Sequence, residues 1–84
     1  MKTINFNEIK VKALNGEDRL FDVREDFSNS LYFQARTLAA KELARKIYHS
    51  ESDIELNEEE AKIALAHSKL YPIVVYEAIK ELIN

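Results

Sequence analysis

Residues 26–49, DFSNSLYFQARTLAAKELARKIYH, run without a glycine or proline, and how they are read decides the fold. They predict one helix from Asp26 to His49, with Asp26 or Ser28 able to accept a hydrogen bond from the free N–H groups of the first turn. At helical pitch Gln34, Thr37, Lys41 and Arg45 fall on one narrow stripe. Leu31, Ala35, Leu38, Ala39, Ala40, Leu43, Ala44 and Ile47 cover most of the remaining circumference. A surface helix needs an apolar stripe of only about 100°, so this wider arc predicts neighbours on two sides, a hairpin on one and a helix pair on the other. Glu42 and Lys46 stand four apart in the orientation that favours an ion pair. Arg45, Lys46 and His49 suit the negative end of the helix dipole.

Upstream, residues 3–24 read as a β-hairpin. Ile9, Val11 and Ala13 alternate with Lys10 and Lys12, and Leu20, Phe21, Asp22 and Val23 resume the strand pattern after Asn15 and Gly16. A two-residue loop at Asn15 and Gly16 would leave Phe21 and Val23 on the face of Lys10, because a shift of one residue exchanges the faces of a strand. A three-residue loop, Asn15 to Glu17, sets Val11 opposite Phe21 and Ile9 opposite Val23 and makes one coherent apolar face. Ile4 and Phe6 are out of phase with Ile9 and Val11, which predicts a bulge or break at Asn7 and Glu8. Lys10 and Lys12 are expected on the open face.

Downstream, Ile54, Glu55 and Leu56 either add a short third strand to the hairpin or pin Ile54 and Leu56 into the core. The strand is favoured because a lone hairpin is marginal. Asn57 followed by Glu58, Glu59 and Glu60 is the best helix start in the chain, a capping box with acids at the positive end of the dipole. The helix is expected from Glu58 to about Lys69, burying Ala61, Ala64 and Leu65. Pro72 then disfavours helix at Tyr71 but suits the first turn of a last helix, Pro72 to Ile83. Val75, Ala78, Ile79 and Leu82 form its core face, and Glu77, Lys80, Glu81 and Asn84 its wet face. Ile73, Val74, Tyr76 and Ile83 are left over, a hint of a binding surface.

The expected fold is therefore one α+β domain over residues 1–84: an N-terminal hairpin, with or without a third strand, on a three-helix C-terminal part. At 84 residues the chain is near the lower size limit for a fold without staples. Self-association is one way to supply the missing burial. Cysteine is absent, which excludes disulfides and thiolate zinc sites and points to a reducing cytoplasm. MKTINFNEIKVK lacks the apolar core of a signal peptide, and no run is long and apolar enough for a membrane helix. Net charge is −3, divided as +2 over residues 1–50 (nine Lys or Arg against seven Asp or Glu) and −5 over 51–84 (three against eight).

Chemical signatures are lacking. The acids from Glu51 to Glu60 have neither the spacing nor the glycine of a calcium loop, and they read as a solvated loop and a dipole match. His49 and His67 share no metal-ligand spacing and read as helix-end and helix-surface histidines. The serines sit in no nucleophile motif. No metal, cofactor or catalytic residue is expected, and the chain reads as a non-enzyme. The last helix offers only Lys80 to a polyanion beside Glu77 and Glu81, which argues against duplex DNA. Lys10, Lys12, Arg19, Lys41 and Arg45 make a weaker nucleic-acid candidate. The aromatic residues Phe27, Tyr32, Phe33, Tyr48, Tyr71 and Tyr76 are divided between core and interface. The candidate partner surface is Phe33, Gln34, Thr37, Lys41, Arg45 and Tyr48, the exposed stripe with the aromatics at its border.

The stretch ELARKIYHSESDIELNEEEAKIALAHSKLYPIVVYEAIKEL (residues 42–82), with the hairpin before it, resembles small α+β proteins of bacteriophages, prophages and other mobile elements. The resemblance implies a compact accessory protein with no catalytic residues to carry over. The function expected is protein binding or self-association, with a nucleic-acid-associated regulator as the alternative.

Overall fold

The computed structural model describes residues 2–83. In chain order the elements are β1 (Lys2–Ile4), β2 (Ile9–Lys12), β3 (Asp18–Phe21), α1 (Arg24–Gln34), α2 (Leu38–Tyr48), β4 (Ile54–Leu56), α3 (Glu58–Ser68) and α4 (Ile73–Ile83). The α+β class and the hairpin stand, and the helical part has four helices instead of three. The long helix is the reason. Ala35 leaves helical geometry (φ −62°, ψ 133°), and Thr37, extended itself, caps α2 by accepting the Ala40 N–H on Oγ1 at 3.1 Å. Neither Asp26 nor Ser28 caps α1. Asp22 Oδ1 accepts from the Arg24 N–H at 3.2 Å, and Ser28 Oγ donates back to the Glu25 carbonyl.

The hairpin keeps the expected odd parity, so Ile9, Val11 and Phe21 share a face, but its register lies two residues away. Ile9 is opposite Phe21 and Val11 opposite Arg19. The loop is Leu14 to Gly16: the Gly16 N–H donates to the Ala13 carbonyl, the Ala13 N–H donates to the Glu17 carbonyl, and Gly16 takes φ +88°. A type of turn followed by a left-handed residue explains this choice, because only at Gly16 can the chain turn left without steric cost.

The break before β2 is real and larger than a bulge. Residues 5–8 form a turn, with Asn5 Oδ1 accepting from the Asn7 N–H and Asn5 O from the Glu8 N–H. It sends β1 to a different partner. β4 is a strand as favoured, but it pairs antiparallel with β1, Thr3 opposite Glu55, and does not extend the hairpin.

Ile4, Phe6, Ile9, Phe27, Leu43, Ile47, Leu56 and Ile79 are buried in one continuous core. Strands β1 and β2 rest on α4, so the hairpin does not lie against the middle of the 26–49 stretch. α4 buries Val75, Ile79 and Ile83. Leu82, expected inside, is 44% exposed, and Ile83, expected to be left over, is buried. Asn84 lies outside the described residues. The capping box of α3 is complete: the Glu60 N–H donates to Asn57 Oδ1 at 2.8 Å and the Asn57 N–H to Glu60 Oε1 at 2.9 Å. Lys46 pairs with Glu60 at 3.2 Å and donates to the Glu55 carbonyl instead of meeting Glu42. It thereby ties α2 to β4 and α3.

Thr37→Ala and Asn57→Ala should each lower unfolding free energy by about 1 kcal/mol in urea titrations, since each leaves a helix end without its side-chain acceptor. A Thr37→Ala chain at least as stable as the parent would show that the cap does not hold the break between α1 and α2. Gly16→Ala should cost about 1–2 kcal/mol for the left-handed backbone alone, because a Cβ there meets no atom within 4 Å.

Candidate functional site

Turning at 35–37 brings α2 back antiparallel along α1, so that Arg24 meets Tyr48 at one end and Tyr32 meets Lys41 at the other. The small residues Ser28 and Ala44, each 1% exposed, form the floor between the helices. Tyr32 and Asn29 on α1, and Arg45 and Tyr48 on α2, rise as walls, and His49 closes one end of a groove of about 190 Å³. Two shallower hollows share those walls. One joins Tyr32 to Ala35, Arg36, Thr37, Leu38 and Lys41, and the other joins Tyr48 and His49 to Asn7, Arg24, Ser50 and Glu51. Four cations (Arg24, Arg36, Lys41, Arg45) and one carboxylate (Glu51) line this continuous trough.

Cations hold both tyrosines. Lys41 Nζ lies 5.8 Å from the Tyr32 ring centre, and the Arg24 guanidinium lies 5.2 Å from that of Tyr48 while donating to the Tyr48 carbonyl at the end of α2. Each cation over a ring at an exposed site contributes about 0.5–1 kcal/mol, enough to favour one tyrosine orientation. The Leu38 end of the trough is apolar: Phe33 is 82% and Leu38 72% exposed, with the Phe33 ring edge-on to Tyr32 at 5.5 Å.

Of the residues singled out in the sequence, Lys41, Arg45 and Tyr48 share this trough, Thr37 lines it as the α2 cap, and Phe33 stands at its apolar end. Gln34 is elsewhere. Its Nε2 donates to Ser30 Oγ at 3.3 Å, on the side of α1 that meets α3. The stripe of one helix is thus divided over two. Tyr32, named among the aromatics divided between core and interface, lines the trough, and Asn29, Arg24 and Arg36 were missed. Thr37 standing before Leu38, Ala39 and Ala40 is a helix start signal, and reading it as one would have brought Tyr32 opposite Lys41.

A second polar cluster joins α1 to the α3–α4 junction. His67 is buried, 8% exposed, and is not the surface histidine its sequence position suggested. Its ring packs edge-on to Phe27 at 5.0 Å, and Nε2 shares a hydrogen bond with Ser30 Oγ at 3.0 Å. Tyr71 stacks on Phe27 at 5.4 Å and donates its hydroxyl to Asp26 Oδ2 at 2.6 Å. Burial holds the His67 pKa below its usual value, partly opposed by the Asp26 carboxylate. Burial, then the bond and charge of Asp26, push the Tyr71 hydroxyl well up, so it stays a donor. This cluster fastens elements together. Among the described residues, no group of three His, Asp or Glu could hold a metal ion, and no helix is long and apolar enough to cross a membrane.

The lowered His67 pKa has a definite sign. The unfolded chain takes up the proton first, near pH 6.5, so stability should fall as pH drops from 7 through 6.5 and level off below the folded-state value. His67→Gln should flatten that part of the stability curve measured by urea titration at a series of pH values. An unchanged slope would locate the titration elsewhere.

The chain matches no family model, no curated protein and no solved structure.

Proposed function

We propose that this chain is a non-enzymatic protein-interaction module whose α1–α2 trough receives an acidic, amphipathic segment of a partner protein. The observation that carries this reading is the pairing of an exposed apolar end, Phe33 and Leu38, with a row of cations, Lys41 and Arg45, along two tyrosine walls. Exposed aromatic anchors beside arginine are the side chains that dominate binding energy at protein interfaces. The central groove, about 190 Å³, accommodates a protruding side chain, and the hollows at either end extend the trough along both helices. An accessory role in a phage or prophage, and a cytoplasmic location, belong to the same proposal and rest on the sequence alone.

The alternative, a nucleic-acid-associated regulator, draws on the same row, since tyrosines beside cations also make stacking platforms for single strands. The exposed Phe33 and Leu38 and the net charge of −3 favour a protein partner.

Selection from a random peptide library should enrich helical sequences that place acids four residues apart beside apolar residues, and binding should weaken about tenfold or more in Arg45→Ala and Phe33→Ala. Binding that survives both substitutions, or no enrichment, would overturn the groove reading. An oligonucleotide that binds with affinity falling steeply as salt rises would favour the alternative.

A further inference from the structure

The surface of α4 carries the chemistry that the trough calls for. Ile73, Glu77 and Glu81 follow one another at intervals of four residues along its exposed side, with Val74 next to Ile73 in the helix. Ile73 is 65% and Val74 46% exposed, an apolar first turn followed by two acids. Lys80 lines the same hollow as Ile73, Glu77 and Glu81, its Nζ 5.9 Å from the Tyr76 ring centre, which leaves this face with two acids against one cation. On α2 the corresponding row is Thr37, Lys41 and Arg45, again spaced by four, with Leu38 and Phe33 at its apolar end. Both rows span eight residues, about 12 Å of helix, and they run apolar to acidic on one surface and apolar to basic on the other.

Resting on the groove reading above, we infer that a second copy of this chain is an occupant of the trough. The α4 helix of one copy lies along the α1–α2 groove of the next, parallel to α2. Ile73 and Val74 meet Phe33 and Leu38, Glu77 meets Lys41 and Glu81 meets Arg45. The charge division of the sequence, +2 over residues 1–50 and −5 over 51–84, supports this pairing, since opposite potentials steer association and set register. Donor and acceptor surfaces are different elements of the fold. The contact is therefore head-to-tail, and it propagates unless the rotation between copies closes a ring. Self-association of this kind covers the trough and so competes with any other partner for it.

Light scattering over a micromolar to millimolar concentration series tests this. The mass of the parent chain should rise with concentration and fall back as salt screens the pairs. Lys41→Glu with Arg45→Glu should weaken association about tenfold or more, and so should Glu77→Lys with Glu81→Lys. The chain carrying all four changes should associate again. An equimolar mixture of the two double variants should associate beyond a dimer with the two alternating, because the acidic α4 of the first meets the basic groove of the second and the reversed α4 of the second meets the reversed groove of the first. A parent chain that stays monomeric throughout overturns the inference, and so does a mixture that stays monomeric or a fourfold variant that fails to recover. The peptide selection described above judges the groove separately, since a monomer can still bind a peptide.

Discussion

A single helix over the 24 residues from Asp26 to His49 would be about 36 Å long, close to the full 41 Å of a molecule only 22 by 21 Å in its other dimensions. Its wide apolar arc would need neighbours all along that length, and a chain this small cannot supply them. The turn at Ala35, Arg36 and Thr37 removes the difficulty. It lays the two halves against each other, so that Ala40, Leu43, Ala44 and Ile47 are buried against Phe27, Ser28 and Leu31 and the rest of the core. The Thr37 hydroxyl satisfies an N–H group that the break exposes. The trough between α1 and α2 exists only because of this turn, and so does the meeting of Tyr32 with Lys41.

The aromatic cluster around Phe27 keeps that helix pair in place. Phe6 from the first turn, His67 from α3 and Tyr71 from the α3–α4 junction all surround one ring. The polar atoms brought inside with them are satisfied: His67 by Ser30, and Ser28, Ser50 and Ser68 by carbonyls three residues back in their own helices or turns. Among the described residues no buried side-chain nitrogen or oxygen lacks a partner. Since an unpaired buried polar group costs about 1–3 kcal/mol, this completeness matters in so small a core. The outer wall of the trough, by contrast, is held only by cations over rings and by one arginine on a helix end.

Charge follows the same division. Lys46 bridges the basic helix pair to Glu60 of the acidic C-terminal part, where its side chain is partly shielded. The remaining cations of α1 and α2 line the trough, and α3 and α4 carry Glu58, Glu59, Glu77 and Glu81 beside Lys62 and Lys80, so the two surfaces differ in charge. Exposed pairs within one chain contribute little. Unlike surfaces on separate chains act over about a Debye length, about 8 Å at physiological salt, and that is the physical basis for reading the trough as a docking site.

Features set by neighbours in sequence were legible in the sequence. The capping box at Asn57 and Glu60, the start of the last helix after Pro72, the odd parity of the hairpin and the break before Ile9 each depend on a few adjacent residues, and each is present. The cation row Lys41 and Arg45 with Tyr48 was legible too, as a helical stripe. Tertiary structure decided the rest. β4 pairs with β1, residues fifty or more positions away, and His67 is drawn inside by Phe27 and Ser30 on another helix. The hairpin register is not determined by parity, because a shift of two residues preserves the faces, and the choice fell to the one glycine able to take positive φ. At Thr37 local propensity permits helix through Ala35 and Arg36, and the burial gained by folding α2 onto α1 joins the Thr37 cap in making the interruption favourable.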